Sequence, residues 1–441
     1  MARVISNDLL RLKLAESLAA PIPALTPRDV RLPEVRNKAF AVIGVRRGGK
    51  TSFMQRHMAD RLSAGDPPGT HLLVTLEDER LDGMTAEDLG WLLEEHRRVA
   101  AEVRERGRRT VYLDEVQLVP GWERLVRRLL DARDTEVFVS GSSSRLLSRE
   151  VGSAMRGRSM EVLVHPFSFR EALRHAGSEP EAEWARLGPD ERAELDAALD
   201  RYLEVGGFPE AQGVEPFDRV QLLRGYVDVM VLRDVIERHR VTNVEAVRRL
   251  TRHLLSNPAA PFSVSKFYRD LRSQRFAVAE ETLHELLGHL EDAFLVRVVS
   301  MHTASERQRM RNPRKVYPID PGLISVYERG GRENRGRRLE TVVLLELERR
   351  GYEVGWVRAG EAYEVDFYAE HPVATPLLVQ VSLDVSSPET WDREVRALLA
   401  AAEEHPEARP LLLTLDSTPP SRGLPGRLEW FSATQWLLES V

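Results

Sequence analysis

Eight residues restrict this chain more than any others: Gly44-Val45-Arg46-Arg47-Gly48-Gly49-Lys50-Thr51. A glycine, four residues and then Gly-Lys-Thr is the spacing of a loop that wraps phosphate. The apolar run 39–43 precedes it and a helix-like stretch, 51–62, follows. Glycines let the backbone close around the phosphate, and the first N–H groups of the helix face it with the positive dipole end. On this reading Gly44, Arg46, Arg47, Gly48, Gly49, Lys50, Thr51 and Ser52 line a nucleotide site. Lys50 reaches the β- and γ-phosphates, and the Thr51 hydroxyl ligates Mg²⁺. Lysine occurs only at 13, 38, 50, 266 and 315 in a chain that otherwise uses arginine. Its presence at 50 suits a site needing a compact charge rather than a planar fork.

Around this loop, apolar segments alternate with helical ones, the pattern of a parallel α/β sheet. Strands are expected at 39–43, 71–76, 110–115, 136–141 and 160–164. The third, Thr110-Val111-Tyr112-Leu113-Asp114-Glu115, ends in two carboxylates at the sheet edge where open α/β folds bind ligands. Asp114 is expected to hold Mg²⁺ and Glu115 to orient and polarise the attacking water. Ser142, in the Ser140-Gly141-Ser142 turn after the fourth strand, reads either as a γ-phosphate sensor or as an ordinary turn. Arg156 and Arg158 read either as arginine fingers for a neighbouring subunit or as solvated charges.

These segments occur in order with Leu76-Glu77-Asp78-Glu79-Arg80-Leu81 and His165-Pro166-Phe167-Ser168-Phe169-Arg170-Glu171. Together they resemble an AAA-type bacterial and archaeal ATPase family that carries a C-terminal domain of unknown function. The resemblance runs over nearly the whole chain. It implies ATP and Mg²⁺ as cofactors, and a homo-oligomer, with a hexameric ring as one arrangement.

The expected organisation is a lead-in over 1–37, an ATPase core over 38–175 and a helical lid over 176–243. A winged helix over 244–325 and a nuclease-like α/β domain over 326–441 complete it. The lid contains Gly206-Gly207-Phe208-Pro209-Glu210, read as a sharp turn between helices. Three helical segments and a hairpin describe the winged helix. Its third helix carries Glu280, Glu281, His284 and Glu285, an acidic surface poorly suited to the acceptor-rich major groove. Positive charge concentrates instead in 297–338, where eleven Arg or Lys face four Asp or Glu. Since the whole chain carries −6, this local excess points to phosphate contact through Arg307, Arg309, Arg311, Arg314 and Lys315 at a wing tip. Backbone rather than base readout follows from that distribution, and the winged helix together with a nuclease-like fold makes branched or junction DNA the expected partner.

From 338 onward, a helix, three strands, a helix and a strand with Glu340, Asp366 and Gln380 are similar to the restriction-endonuclease-like core. Such nucleases place a lysine two residues after the second metal ligand. Here that position is Ser382, and no lysine follows 315, so the expectation is a silenced nuclease fold.

The absence of cysteine excludes disulfides and thiolate chemistry. No apolar run approaches the ~18 residues of a membrane span, and no signal peptide is evident at the N-terminus, so a cytoplasmic location is expected. The leading expectation is an oligomeric Mg²⁺-dependent ATPase that remodels or translocates on DNA. The alternatives are a nucleotide-dependent switch acting on a protein partner and an ATP-driven nuclease.

Overall fold

The computed structural model describes residues 5–103, 109–141, 155, 157–303, 313–327, 334–360 and 363–439. The chain divides into two compact units, Met1–His165 and Pro166–Val441.

In the first unit, helix α1 (Asn7–Ala19) starts at Ser6, whose side chain accepts from the Leu9 N–H. There follow β1 (Ala39–Ile43), α2 (Lys50–Ser63), β2 (His71–Thr75), α3 (Ala86–Val103), β3 (Arg109–Asp114), α4 (Trp122–Ala132), β4 (Thr135–Ser140) and β5 (Ser159–Leu163). All five strands are parallel, in the order β2-β3-β4-β1-β5. Strands β1 and β3 are buried along their whole length. That is the state their near-continuous apolar sequences require when helices cover both faces. Phe40, Met54, Tyr112, Phe138 and Val162 pack into one core across the sheet. In this sheet β4 is inserted between the strand before the Gly44–Thr51 loop and the strand ending in Asp114.

In the second unit come α5 (Phe169–Ala176), α6 (Pro189–Val205) and α7 (Pro216–Val229). A π-helical stretch, Met230–Glu237, continues α7. Next are α8 (Val244–Ser256), β6 (Pro261–Phe262), α9 (Val264–Ser273), α10 (Glu280–Asp292), β7 (Val296–Val299), β8 (Arg314–Pro318) and α11 (Pro321–Tyr327). The expected hairpin forms as β7 and β8, and β6 joins β8 on the other side, giving the antiparallel order β6-β8-β7. The chain ends with α12 (Asn334–Arg349), β9 (Glu353–Ala359), β10 (Tyr363–Glu370), β11 (Leu377–Ser382), α13 (Pro388–Glu404), β12 (Arg409–Thr414), β13 (Glu429–Ser432) and α14 (Ala433–Leu438). These strands form one mixed sheet ordered β13-β12-β11-β10-β9. Strands β9 to β11 are antiparallel neighbours, while β11, β12 and β13 run parallel. One face packs on α12 through Leu339, Val343 and Leu347, the other on α13 through Val395, Leu398 and Ala401. Strand β13 and helix α14 lie beyond the elements expected from sequence.

The Gly206-Gly207 turn is fixed by close approach. A Cβ on Gly207 would lie 2.1 Å from the Phe167 carbonyl oxygen, and one on Gly206 would lie 1.8 Å from Asp320 Oδ1. Gly206 also has φ +79°, a conformation open to glycine at low cost. Asp320 clasps the turn, accepting from the Gly207 N–H at 2.6 Å and the Gly322 N–H at 2.8 Å.

Candidate nucleotide site

The phosphate loop leaves β1 at Gly44, whose φ is +146°. A Cβ there would meet the Val164 carbonyl oxygen at 2.1 Å, so the loop starts against β5 only because residue 44 is glycine. Gly49, at φ +101°, turns the chain into α2 with no side-chain cap. An uncapped helix start of this kind is where backbone N–H groups can meet an incoming anion. The Lys50 side chain is buried and donates to the Gly44 and Val45 carbonyl oxygens, both at 3.1 Å. Its ammonium thus lies folded against the loop that phosphates would fill. Arg46 is half-buried, with Glu77 at 3.6 Å, while Arg47 (φ +61°) and Ser52 are exposed.

Asp114 arrives from β3 beside Thr51. The Thr51 hydroxyl donates to Asp114 Oδ2 at 2.7 Å, and the Ser140 hydroxyl donates to Oδ1. Burial raises the Asp114 pKa above the ordinary value, against these hydrogen bonds. A buried carboxylate next to a hydroxyl is a hard-oxygen pair, the donor chemistry Mg²⁺ takes. Thr51 and Asp114 therefore fit the ion, which would supply charge neutralisation for phosphates. Glu115 follows in a left-handed conformation (φ 56°), which turns its carboxylate away from the strand direction. Its N–H donates to Ser140 Oγ at 3.1 Å, and the Gln117 side-chain amide donates to its carboxylate. Ser140 thus links both acidic residues.

Ser140, the last residue of β4, makes these contacts; Ser142, Arg156, Arg307, Arg309 and Arg311 lie outside the described residues. Arg158 lies at the amino edge of the sheet, where its carbonyl accepts from the Ala39 N–H and its side chain pairs with Asp131 at 2.5 Å. The phosphate loop is at the carboxyl end of β1, about 15 Å away by strand rise, so Arg158 is outside its own chain's site.

Sequence reasoning missed Arg28. From the lead-in, its guanidinium donates to the Gly48 carbonyl at 3.2 Å and to the His165 carbonyl. It ties the loop to the end of the β5 segment. The 77–80 motif also acquires a role. Asp78 accepts from the Arg80 N–H and pairs with Lys13 of α1 at 2.5 Å, and Arg80 reaches Glu16. Nothing local in the sequence signals either long-range contact.

Lys315 is the largest correction. Rather than sitting on an exposed wing tip, its side chain is 3% exposed and lies among three carboxylates. Arg297, counted with the basic span, is spent on Glu348 at 2.7 Å. Arg314 is half-buried at the start of β8.

A parallel sheet with the Lys50–Thr51 loop and Asp114 at its carboxyl edge defines a P-loop nucleotide-binding core. Residues 36–173 match a family model described as an AAA domain. Residues 196–331 match one described as a domain of unknown function (DUF8612). An uncharacterized protein of Methanocaldococcus jannaschii is 29% identical over 388 residues, covering 86% of this chain and 81% of the relative. One of Haemophilus influenzae is 27% identical over 349 residues, covering 78% and 82%. Among solved structures, a Walker-type ATPase of Pyrococcus abyssi is similar with a TM-score of 0.40 and 17% identity, over 74% of this chain and 96% of that one.

Proposed function

We propose that the protein is a Mg²⁺-dependent ATPase that acts on DNA as a homo-oligomer. The observation that carries the ATPase reading is the convergence of Lys50, Thr51, Asp114, Glu115 and Ser140 at one sheet edge. Lys50 leaves the loop carbonyls to neutralise the terminal phosphates. Thr51 and Asp114 hold the metal ion. Glu115, positioned by Ser140 and Gln117, orients the attacking water. Arg158, remote from its own site, or Arg156 serves a neighbouring protomer as an arginine finger.

The DNA reading rests on the sequence charge of 297–338. We take α8, α9, α10 and the β6-β8-β7 sheet as a winged helix. Arg307, Arg309, Arg311 and Arg314 then supply phosphate contacts, without Lys315 or Arg297. The acidic face of α10, on which Glu280 is engaged by Ser265, argues for backbone rather than base readout, as in branched or junction DNA. ATP turnover measured without DNA and with single strands, duplex and a four-way junction tests this. Stimulation greatest on the junction is expected, and an equal rate in all four overturns the DNA reading.

A second reading, a nucleotide switch acting on a protein partner, has one observation in its favour. Val229 and Leu232, within one turn of each other, are apolar and exposed. Pull-down that depends on ATP and is lost in a Leu232→Glu variant would favour it over the DNA reading.

A further inference from the structure

Glu340 of α12 comes together with Glu364 and Asp366 of β10, and the structure puts a cation among them that belongs to the chain itself. Lys315 projects from β8, in the three-stranded sheet. Its Nζ lies 2.9 Å from Glu364 Oε1, 3.2 Å from Asp366 Oδ1 and 3.4 Å from Glu340 Oε1. The hydroxyl of Tyr317, two residues along the same strand face, donates to the same Glu340 oxygen at 2.6 Å. Asp366 stands where the β9–β10 register shifts, between Val365 and Tyr368. Such an irregularity re-aims a side chain.

An ammonium has three N–H donors, and three carboxylates surround this one. None is left over for a water molecule or a phosphate. Asp366 Oδ2 is also taken, by the Val381 N–H at 3.0 Å. Gln380 spans the Asp366 N–H and Glu394, donating to the latter at 2.7 Å. The acidic partners raise the Lys315 pKa against its burial, so it stays protonated and cannot serve as a base. Among the described residues, no group of three His, Cys, Asp or Glu side chains is arranged to hold a metal ion. As placed, the carboxylates hold the ammonium and do not fit a bound divalent cation.

We infer that Lys315 is a resident cation that takes the place of a divalent metal among Glu340, Glu364 and Asp366, closing this site and pinning strand β8 to the C-terminal sheet. No lysine follows 315, which excludes one from within the C-terminal domain but not Lys315 itself. The lysine comes instead from the preceding module. It restores the charge but not the chemistry of the missing lysine. Removing it would leave the oxygen donors of Glu340, Glu364 and Asp366 without their cation, so that they can close on Mg²⁺ or Mn²⁺, ions that take carboxylate ligands.

The test uses the full chain bearing Asp114→Asn, so that the nucleotide site does not contribute. Mn²⁺ binding is measured by calorimetry, and thermal melting with Mn²⁺ and with EDTA. In this background, Lys315→Ala is expected to bind Mn²⁺ at least about tenfold more tightly than its Lys315 parent. It is also expected to melt higher with Mn²⁺ than with EDTA. Both effects should vanish on adding Asp366→Asn. The parent should show neither Asp366-dependent binding nor Mn²⁺-dependent plasmid cleavage. Equal Mn²⁺ affinity with and without Lys315, or Asp366-dependent cleavage by the parent, overturns the inference. If the alanine variant does not fold, Lys315→Gln, which keeps much of the length and an N–H donor, is read in its place. If neither folds with or without Mn²⁺, the ammonium is not exchangeable for a metal and the proposal fails. None of these outcomes depends on ATP hydrolysis.

Discussion

Glu115 and Ser140 divide the work at the nucleotide site in a way that mutation can separate. Glu115→Gln preserves side-chain volume and hydrogen bonding but removes the charge that polarises water. ATP turnover should fall by about a hundredfold or more, while nucleotide affinity stays within a few-fold of wild type. Equilibrium binding of a fluorescent ATP analogue beside steady-state turnover gives both values. Ser140→Ala leaves both acids in place but frees their orientation, since the hydroxyl donates to Asp114 and accepts from the Glu115 N–H. A drop in kcat of about tenfold is expected, with the KM for ATP little changed. A variant that instead lost ATP binding would show Ser140 acting through the loop rather than the acids.

At the level of elements, the Gly206-Gly207 turn and Asp320 form a pH-sensitive clasp. Burial pushes the Asp320 pKa up to about 7, only partly offset by the hydrogen bonds from Gly207 and Gly322. The folded value lies above the unfolded one, near 3.9. Its contribution to stability is therefore fully present below about pH 4 and is lost as the pH rises through about 7. A shift of this size corresponds to up to about 4 kcal/mol. Burial and the nearby Asp366 also raise the Glu340 pKa above the ordinary carboxylate range, which adds a slope of the same sign. The melting temperature is thus expected to fall between pH 5 and 8 by this mechanism. Asp320→Asn should be less stable than wild type at pH 5 and close that gap by pH 8. Melting curves followed by circular dichroism across that range check the sign. Parallel curves for the two proteins would remove Asp320 as a source of the slope.

For the whole molecule, the formal charge of −6 hides the basic excess in 297–338. With Arg297 and Lys315 engaged internally, the DNA reading depends on Arg307, Arg309, Arg311 and Arg314. Replacing the first three by alanine should weaken duplex binding at 50 mM salt by at least about tenfold and flatten its salt dependence, with basal ATP turnover unchanged. Fluorescence anisotropy over a salt series measures both. Unchanged affinity and slope would send the search to another surface.

The sequence by itself determined the phosphate loop, the Asp114–Glu115 edge and most of the strands around them. Those features depend on local causes: glycine conformational freedom, continuous apolar runs and a fixed spacing between loop and helix. It also gave the β7–β8 hairpin and the order of elements from α12 to β12, where apolar runs are bounded by turns. Only the tertiary structure decided that Ser140 joins the two acids, that Arg28 reaches Gly48 from 20 residues upstream, and that Lys315 fills the acidic site 51 residues before Asp366. Each of these is a polar contact between distant segments. No periodicity encodes such a contact, because the partner is chosen by which unsatisfied groups the packed elements bring within hydrogen-bond reach.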